Sequence, residues 1–480
     1  MSDPIRNAVL QLVEKKSGIS LVEGERYVSA DEFASLIDKE RSNLPDGPRG
    51  PVFTHVGNQV SLLSRFFAML AEGFRPVVLP AKIPEGQLRT LLTSFTAIPY
   101  DDKEQGFVDQ DGNPRPTVEV GQEYTMVLPT SGSTGAPRLI VGKGENIERC
   151  VKAIAASQGL DSLSSTGAIL PAHFSYCLVN QVMWSLLTGA KLVLTPGISL
   201  PAATLELLQR EKAEFTCLVA QQLRVLKSLG CVEEEYAMPS MKVVNCAGGP
   251  FFFDSWDEAQ VLFPKARFNN NYGCTEAFPR VSARQVFGGE EAISNVGKAI
   301  GDLEIWACDE DGRMFPPNKI GRIFCRGNTT GIGLLQSDGT VEPFSDDGSF
   351  PSGDYGMVTD DGILHVYGRA DQIINVGGER VSLIKIEQIV RSCEGIDDAV
   401  ATGIREDTGE QWPLVAINAS TQPDKEKLRA HLTEHLTRAA WPRKLYFLRD
   451  WPLLPNDKPN RKKIIRLAKD EELELVWDLS

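Results

Sequence analysis

A run of hydroxyls and glycines, Thr130-Ser131-Gly132-Ser133-Thr134-Gly135, follows an apolar stretch at 124–130. Glycine tolerates positive φ, so successive N–H groups can converge on one point, and the hydroxyls add further donors. Donors gathered in that way suit a polyphosphate. The loop is not a Walker A sequence, because GxxxxGK[ST] occurs nowhere in the chain. Taken alone it equally describes an ordinary polar turn, so its meaning depends on what else the chain carries.

Further clusters follow in order. Ala247-Gly248-Gly249-Pro250 closes the apolar run 243–246. Asn269-Asn270-Asn271-Tyr272-Gly273-Cys274-Thr275-Glu276 ends with a hydroxyl and a carboxylate side by side. Ser352-Gly353-Asp354 and Gly368-Arg369-Ala370-Asp371 come next, and Lys458 lies in Trp451-Pro452-Leu453-Leu454-Pro455-Asn456-Asp457-Lys458-Pro459-Asn460-Arg461. In this order and at these separations the chain resembles the adenylate-forming superfamily of acyl- and aryl-CoA synthetases, peptide-synthetase adenylation domains and luciferases. The resemblance runs from about residue 50 onward.

The resemblance implies ATP as substrate and Mg²⁺ as its companion ion. A carboxylate would attack the α-phosphorus and pyrophosphate would leave, so positioning and positive charge matter more than a covalent group. By the same resemblance Thr130 and Ser131–Gly135 hold the β- and γ-phosphates. Arg138 stands where the family usually has lysine, keeping the charge but presenting a planar fork. Gly248 and Gly249 line the adenine slot with Asn271 and Tyr272; Thr275 meets the α-phosphate, and Glu276 takes Mg²⁺ through hard carboxylate oxygen. Asp354 accepts from the ribose hydroxyls, with a turn-forming aspartate as its rival. Val366 and Arg369 complete the nucleotide side.

Lys458 matches the lysine that bridges the acyl carboxylate and the α-phosphate, with Arg461 three residues later as the pattern asks. Lys462 and Lys463 offer a rival register. Asp457 replaces the usual glycine. Asp371 matches a hinge about which a small domain swings after adenylation, and Gly377 and Gly378 would then line a narrow tunnel for a thiol. Asn375 stands where lysine is frequent in the family.

Leu170-Pro171-Ala172-His173-Phe174-Ser175-Tyr176-Cys177-Leu178 resembles the family's acyl-pocket motif, with Phe174 at the gate. Amino-acid-activating relatives carry aspartate next, to pair with an ammonium; Ser175 cannot supply that charge. Ser175, Val179, Cys246 and Cys274 are the expected walls, which suit an aryl or apolar acyl acid better than an α-amino acid. His173 beside the gate is more naturally a packing residue than a general base.

These residues need rigid elements to hold them. Apolar spacing predicts helices over 60–72 and 145–158, and buried strands at 76–80, 192–195, 216–219 and 243–246. Such alternation predicts an α/β fold: a large N-terminal domain of sheets sandwiched with helices, residues 1–370. The rhythm changes in the remainder. A helix at 385–391, strands at 399–404 and 414–419, a helix at 424–437 and a strand at 444–448 predict a small mobile α+β domain over 371–480, carrying Lys458.

Bulk properties narrow the partners. The 480 residues carry 50 basic and 64 acidic side chains, net −14. That charge disfavours nucleic acid and anionic membrane surfaces. No apolar stretch reaches the ~18–20 residues of a membrane span, and the first residues do not read as a signal peptide. Nine cysteines with no CxxC pair are expected to be reduced thiols in the cytoplasm. A homodimer is admitted.

The leading functional expectation is an acyl- or aryl-CoA synthetase that uses coenzyme A. Its close rival passes the acyl group to the phosphopantetheine of a separate carrier protein, or to an amine. A non-catalytic nucleotide-binding relative is the rival of another class.

Overall fold

The computed structural model describes residues 3–46, 49–102, 106–115, 117, 123–130, 138–249, 251, 256–288, 294–369, 372–376, 379–405, 411–419, 423–452, 460–470 and 473–478. The chain forms two compact units. The first comprises 1–306, 324–352 and 359–364; the second comprises 307–323, 353–358 and 365–480.

Two large sheets dominate the first unit. In one, strands Arg267–Tyr272, Val243–Ala247, Phe215–Val219, Ser165–Ala168, Lys191–Leu194 and Leu21–Glu23 lie side by side in that order, all parallel. Antiparallel Ser282–Val286 and Arg26–Val28 flank them. In the other, Met126–Pro129, Arg75–Pro80, Pro51–Val56 and Tyr100–Asp102 are parallel, and Leu139–Gly142 adds antiparallel to Met126–Pro129. Parallel strands need crossovers, and helices supply them.

Helix Val60–Ala71 is buried nearly all round, ten of its twelve residues being inside. A helix apolar on every face belongs within a core. Phe66 and Phe67 there pack with Ile5 and Val9 of helix Pro4–Lys15, with Ile147 and Ile154 of helix Gly144–Gln158, and with Met126, Ile140, Leu192 and Phe215 from both sheets. Each large side chain withdrawn from water contributes about 1.5–3 kcal/mol. The α/β expectation therefore holds, with helices layered between sheets, and the predicted helices and strands appear within two residues of their expected ends, except that the strand expected from 414 begins at Gln411.

The second unit has its own core. Strands Asp398–Arg405, Gln411–Asn418, Lys444–Phe447 and Glu474–Asp478 form a sheet in that order. Strand side chains alternate between faces. Val415 and Ile417 of Gln411–Asn418 accordingly meet Ile386 and Val390 of helix Leu383–Arg391 and Leu428 and Leu432 of helix Lys425–His435. Leu414 and Ala416 face Ile464 and Ala468 of helix Arg461–Lys469 through two smaller clusters.

Candidate active site

The predicted residues of the first unit cluster at the carboxyl ends of parallel strands, the usual ligand-binding edge of such sheets. Thr130 and Arg138 bracket the Gly/Ser loop: Thr130 N–H donates to the Arg138 carbonyl at 2.8 Å, and Arg138 N–H to Thr130 Oγ1 at 3.3 Å. The loop is thus carried between strands Met126–Pro129 and Leu139–Gly142 of one antiparallel pair. Ser131, Gly132, Ser133, Thr134 and Gly135 themselves lie outside the described residues.

Strand Val243–Ala247 leads into Gly248, at φ 76°, where a side chain would be strained. A Cβ on Gly249 would meet nothing within 4 Å, so open space lies before it. Strand Arg267–Tyr272 ends in Asn271 and Tyr272, and the chain then folds back sharply. A Cβ on Gly273 would fall 1.8 Å from the Pro279 carbonyl oxygen, so only glycine fits this reversal. Thr275 and Glu276 occupy the short 3₁₀ turn Thr275–Ala277 within the excursion, which returns as Val281 N–H donates to the Tyr272 carbonyl at 2.9 Å.

Glu276 is 6% exposed, and its Oε1 accepts from Arg138 Nη2. Gly331 N–H donates to the Glu276 carbonyl at 2.8 Å and fixes the backbone behind it. A chain of amides supports the strand ends. Asn269 Nδ2 donates to Asn245 Oδ1, Asn245 Nδ2 to Gln158 Oε1, and Gln158 Nε2 to Asn271 Oδ1, at 3.0, 2.6 and 2.7 Å. Asn271 Nδ2, at the end of that chain, is buried with no acceptor.

Phe174 is 51% exposed at the start of helix Ser175–Cys177, which continues into the π-helical stretch Leu178–Met183. Val179 and Cys246 are wholly buried but belong to different apolar clusters, and Cys274 is half-buried. His173 stacks near Phe174 with centroids 4.3 Å apart, and burial pushes its imidazole down to about 4. A ring so weakly basic agrees with a packing role. The sequence reading missed Tyr176, Asn180 and Arg280. Tyr176 lies beside Cys217, Cys246 and Asn271, and Arg280 reaches Asn180.

A separate polar cavity of about 470 Å³ is lined by Thr54, His55, Leu62, Ala81, Tyr100, Asp101 and Asp102. None of the predicted site residues lines it. Its floor is stiffened by the buried Arg65–Asp101 pair at 2.7 Å.

In the second unit, Asp354 and Arg369 sit on neighbouring strands, Phe350–Val358 and Leu364–Arg369, with Arg369 Nε 4.0 Å from Asp354 Oδ1. Gly353 at φ 86° lets this approach happen, since a Cβ there would lie 2.9 Å from Arg369 Nη2. Val366 is half-buried on the same strand as Arg369. Arg461 Nη2 donates to the buried Glu387 at 2.6 Å and to the Ala401 carbonyl at 3.1 Å. Asn460 N–H donates to the Pro452 carbonyl at 2.7 Å, which joins the two ends flanking 453–459. Lys458, Asp371, Gly377 and Gly378 lie outside the described residues.

Comparison with known proteins adds the decisive observation. Residues 82–335 match the model of the AMP-binding enzymes, and residues 385–458 match that of the AMP-binding enzyme C-terminal domain. The chain belongs to the AMP-binding enzyme family. It is thus an adenylate-forming, AMP-forming ligase, as the order of its motifs led us to expect.

Among its relatives is the D-alanine–D-alanyl carrier protein ligase of Bacillus cereus (strain B4264), 27% identical over 91% of this chain and 92% of the relative. Similar structures include the amide bond synthetase of Marinactinospora thermotolerans (TM-score 0.80, 20% identity, 97% and 100% covered). The O-succinylbenzoate coenzyme A synthetase of Bacillus subtilis bound to AMP is another (TM-score 0.78, 19% identity, 95% and 98% covered). Among the described residues no helix is long and apolar enough to cross a membrane.

Proposed function

We propose that this AMP-binding enzyme joins a carboxylic acid to the α-phosphate of ATP, releasing pyrophosphate, and then passes the acyl group to a phosphopantetheine thiol. One observation carries the first half: a buried carboxylate, Glu276, beside the Thr275 hydroxyl on a turn at the carboxyl ends of parallel strands, with Arg138 against it. A substrate carboxylate oxygen attacks the α-phosphorus as the bond to pyrophosphate breaks. Thr275 is assigned to the α-phosphate, Arg138 with Thr130 and Ser131–Gly135 to the β- and γ-phosphates, and Gly248, Gly249, Asn271 and Tyr272 to the adenine. The open space at Gly249 fits a planar base.

Mg²⁺ fits a single buried carboxylate, since the ion takes most of its other ligands from phosphate and water. Glu276 would hold it, and bound there it would offset the charge growing on pyrophosphate. Asp354 and Arg369, already adjacent, are assigned with Val366 to the ribose side. Lys458 is assigned to the bridge between acid and α-phosphate, on a domain 371–480 that pivots at Asp371 relative to 1–370. Gly377 and Gly378 would admit the thiol in the second half-reaction, when thiolate attacks the acyl carbon and AMP leaves.

Coenzyme A and a holo-carrier protein present the same phosphopantetheine arm. The relative from Bacillus cereus, a carrier protein ligase by name, supports the carrier as acceptor. That relative is named for D-alanine, whereas Ser175 offers no carboxylate to an ammonium, so the acid proposed here is not an α-amino acid. Pyrophosphate exchange over a panel of aryl, fatty, dicarboxylic and amino acids tests the first half. ATP binding without acid-dependent exchange anywhere in that panel would overturn it. Release of free acyl-CoA identifies coenzyme A as the acceptor, and labelling of a holo-carrier without CoA turnover identifies the carrier.

A further inference from the structure

Arg280 is 1% exposed, and among the described residues no carboxylate lies within salt-bridge distance of it. Its Nη2 donates to Asn180 Oδ1 at 2.8 Å, and its guanidinium carbon stands 5.5 Å from the centre of the Tyr176 ring. Its Nη1 has no acceptor. A buried guanidinium without a counter-charge is costly, and such groups are ordinarily paired. Its neighbours do not supply the missing anion. Burial pushes the Cys150 and Cys217 thiols up to about 12 and the Tyr176 phenol well above its ordinary value, so all three are neutral at physiological pH.

Two more buried polar atoms nearby are poorly satisfied, the Tyr176 hydroxyl and Asn271 Nδ2, which approach each other while Tyr176 also approaches Cys217. Arg280 Nη1, Asn271 Nδ2 and a rotatable hydroxyl are all donors. Of these Arg280 Nη1 is the cationic donor left without an acceptor, and it calls for a negatively charged group.

The backbone says which end of a substrate this is. Thr275 and Glu276 ride on the excursion that begins after Tyr272, while Arg280 returns to its base, its Cα 3.0 Å from where a Cβ on Gly273 would stand. The reacting carboxylate belongs with Thr275. A carboxylate locked by a buried guanidinium would also be a poor nucleophile.

We propose that Arg280, with Tyr176 and Asn271, receives a second carboxylate of the acid being activated, so that the substrate is a dicarboxylic acid. This rests on the adenylation reading above and narrows it: the far end of the acid would meet a buried cation among apolar side chains. Arg280 is then a specificity-determining residue, missed in the sequence because Ala277-Phe278-Pro279-Arg280-Val281 gives no sign that its cation is buried.

The test compares dicarboxylic acids with monocarboxylic acids of equal length, aryl and alkyl, on wild type, R280M and R280K. Acid-dependent pyrophosphate exchange and the thermal shift produced by acid alone are both read. The expected result is a preference of wild type for diacid of about a hundred-fold or more in kcat/KM, since a site built to pair a charge rejects partners that lack it. R280M should reverse that preference and abolish the diacid thermal shift, and R280K should restore part of both. Without ligand, R280M should melt no lower than wild type, because a methionine there removes an uncompensated charge; a lower Tm would point to a structural arginine and overturn the proposal.

Exchange driven by monoacids with equal or poorer use of diacids would sink the diacid proposal and leave adenylation standing. A diacid thermal shift that R280M abolishes, without exchange from any acid, would sink adenylation and leave the binding assignment standing. Absence of any diacid effect on either readout would overturn the proposal.

Discussion

An arginine at 138, where the resembled family carries lysine, alters what Glu276 does before any nucleotide arrives. Its Nη2 donates to the buried carboxylate, so a Mg²⁺ held by Glu276 as proposed would compete with the guanidinium for that oxygen. Arg138→Ala is therefore expected to raise the KM for ATP about ten-fold at limiting Mg²⁺, with Tm little changed because Arg138 is largely exposed. Initial rates across a magnesium titration would show it; an unchanged KM would remove Arg138 from the phosphate site.

His173 makes a different prediction. Its folded value is held down at about 4, whereas a free imidazole titrates near ~6.5. Between those values the unfolded chain binds a proton that the folded chain does not, so stability falls as pH drops from about 6.5 to about 4. His173→Phe should flatten that decline, as urea unfolding at about pH 7.5 and about pH 5 would reveal. Sequence alone singled out Phe174 and the threonine–glutamate pair, since each lies in a contiguous motif. The Arg138–Glu276 pair spans 138 positions, and Arg280 looks like any arginine until its burial is known.

Helix Arg461–Lys469 is tied to strand Asp398–Arg405 immediately after the segment 453–459. Arg461 and the Ala401 N–H both donate to the same oxygen of Glu387, while Asn460 closes the loop onto Pro452. Glu387→Ala leaves Arg461 without its carboxylate and the Ala401 N–H without its acceptor, and is expected to cost about 3 kcal/mol of stability. Adenylation should fall more than ATP affinity does, because the loop's anchor rather than its nucleotide contacts is lost. Denaturation paired with pyrophosphate exchange would separate the two, and unaltered exchange would show the anchor to be dispensable.

Long helices and buried parallel strands were readable because apolar periodicity reports burial on one face or both. Strands such as Leu21–Glu23 and Arg26–Val28 were not, being three residues each, and their hairpin joins the sheet through a distant partner, Leu21 beside Leu192. The π-helical stretch Leu178–Met183 leaves no mark in residue type either, because its apolar residues suit an α-helix equally well.

At the scale of the molecule, the candidate residues divide between two compact units, Thr275 and Glu276 in one, Asp354, Arg369 and the lysine loop in the other. A reaction in two halves can use such a division by presenting different residues in turn. Lys458→Ala is expected to lower adenylation by about a thousand-fold while partly sparing thioester formation from supplied acyl-adenylate. Equal loss of both would count against a pivot at Asp371. The sequence reading divided the chain at 370/371, which groups Asp354 and Arg369 with Thr275, whereas by contacts they group with the second unit. The register that favours Lys458 rests on Arg461 three residues later, and Arg461 itself is anchored on Glu387.

Cysteine burial has a practical consequence. Of nine thiols, eight are buried, and Cys274, one residue before Thr275, is the most accessible. Maleimide or iodoacetamide fluorophores react through exposed thiolate, so the native chain should take a single label without prior mutagenesis. That label would report occupancy of the threonine turn directly, and its rate of attachment could follow loading of the pocket in real time.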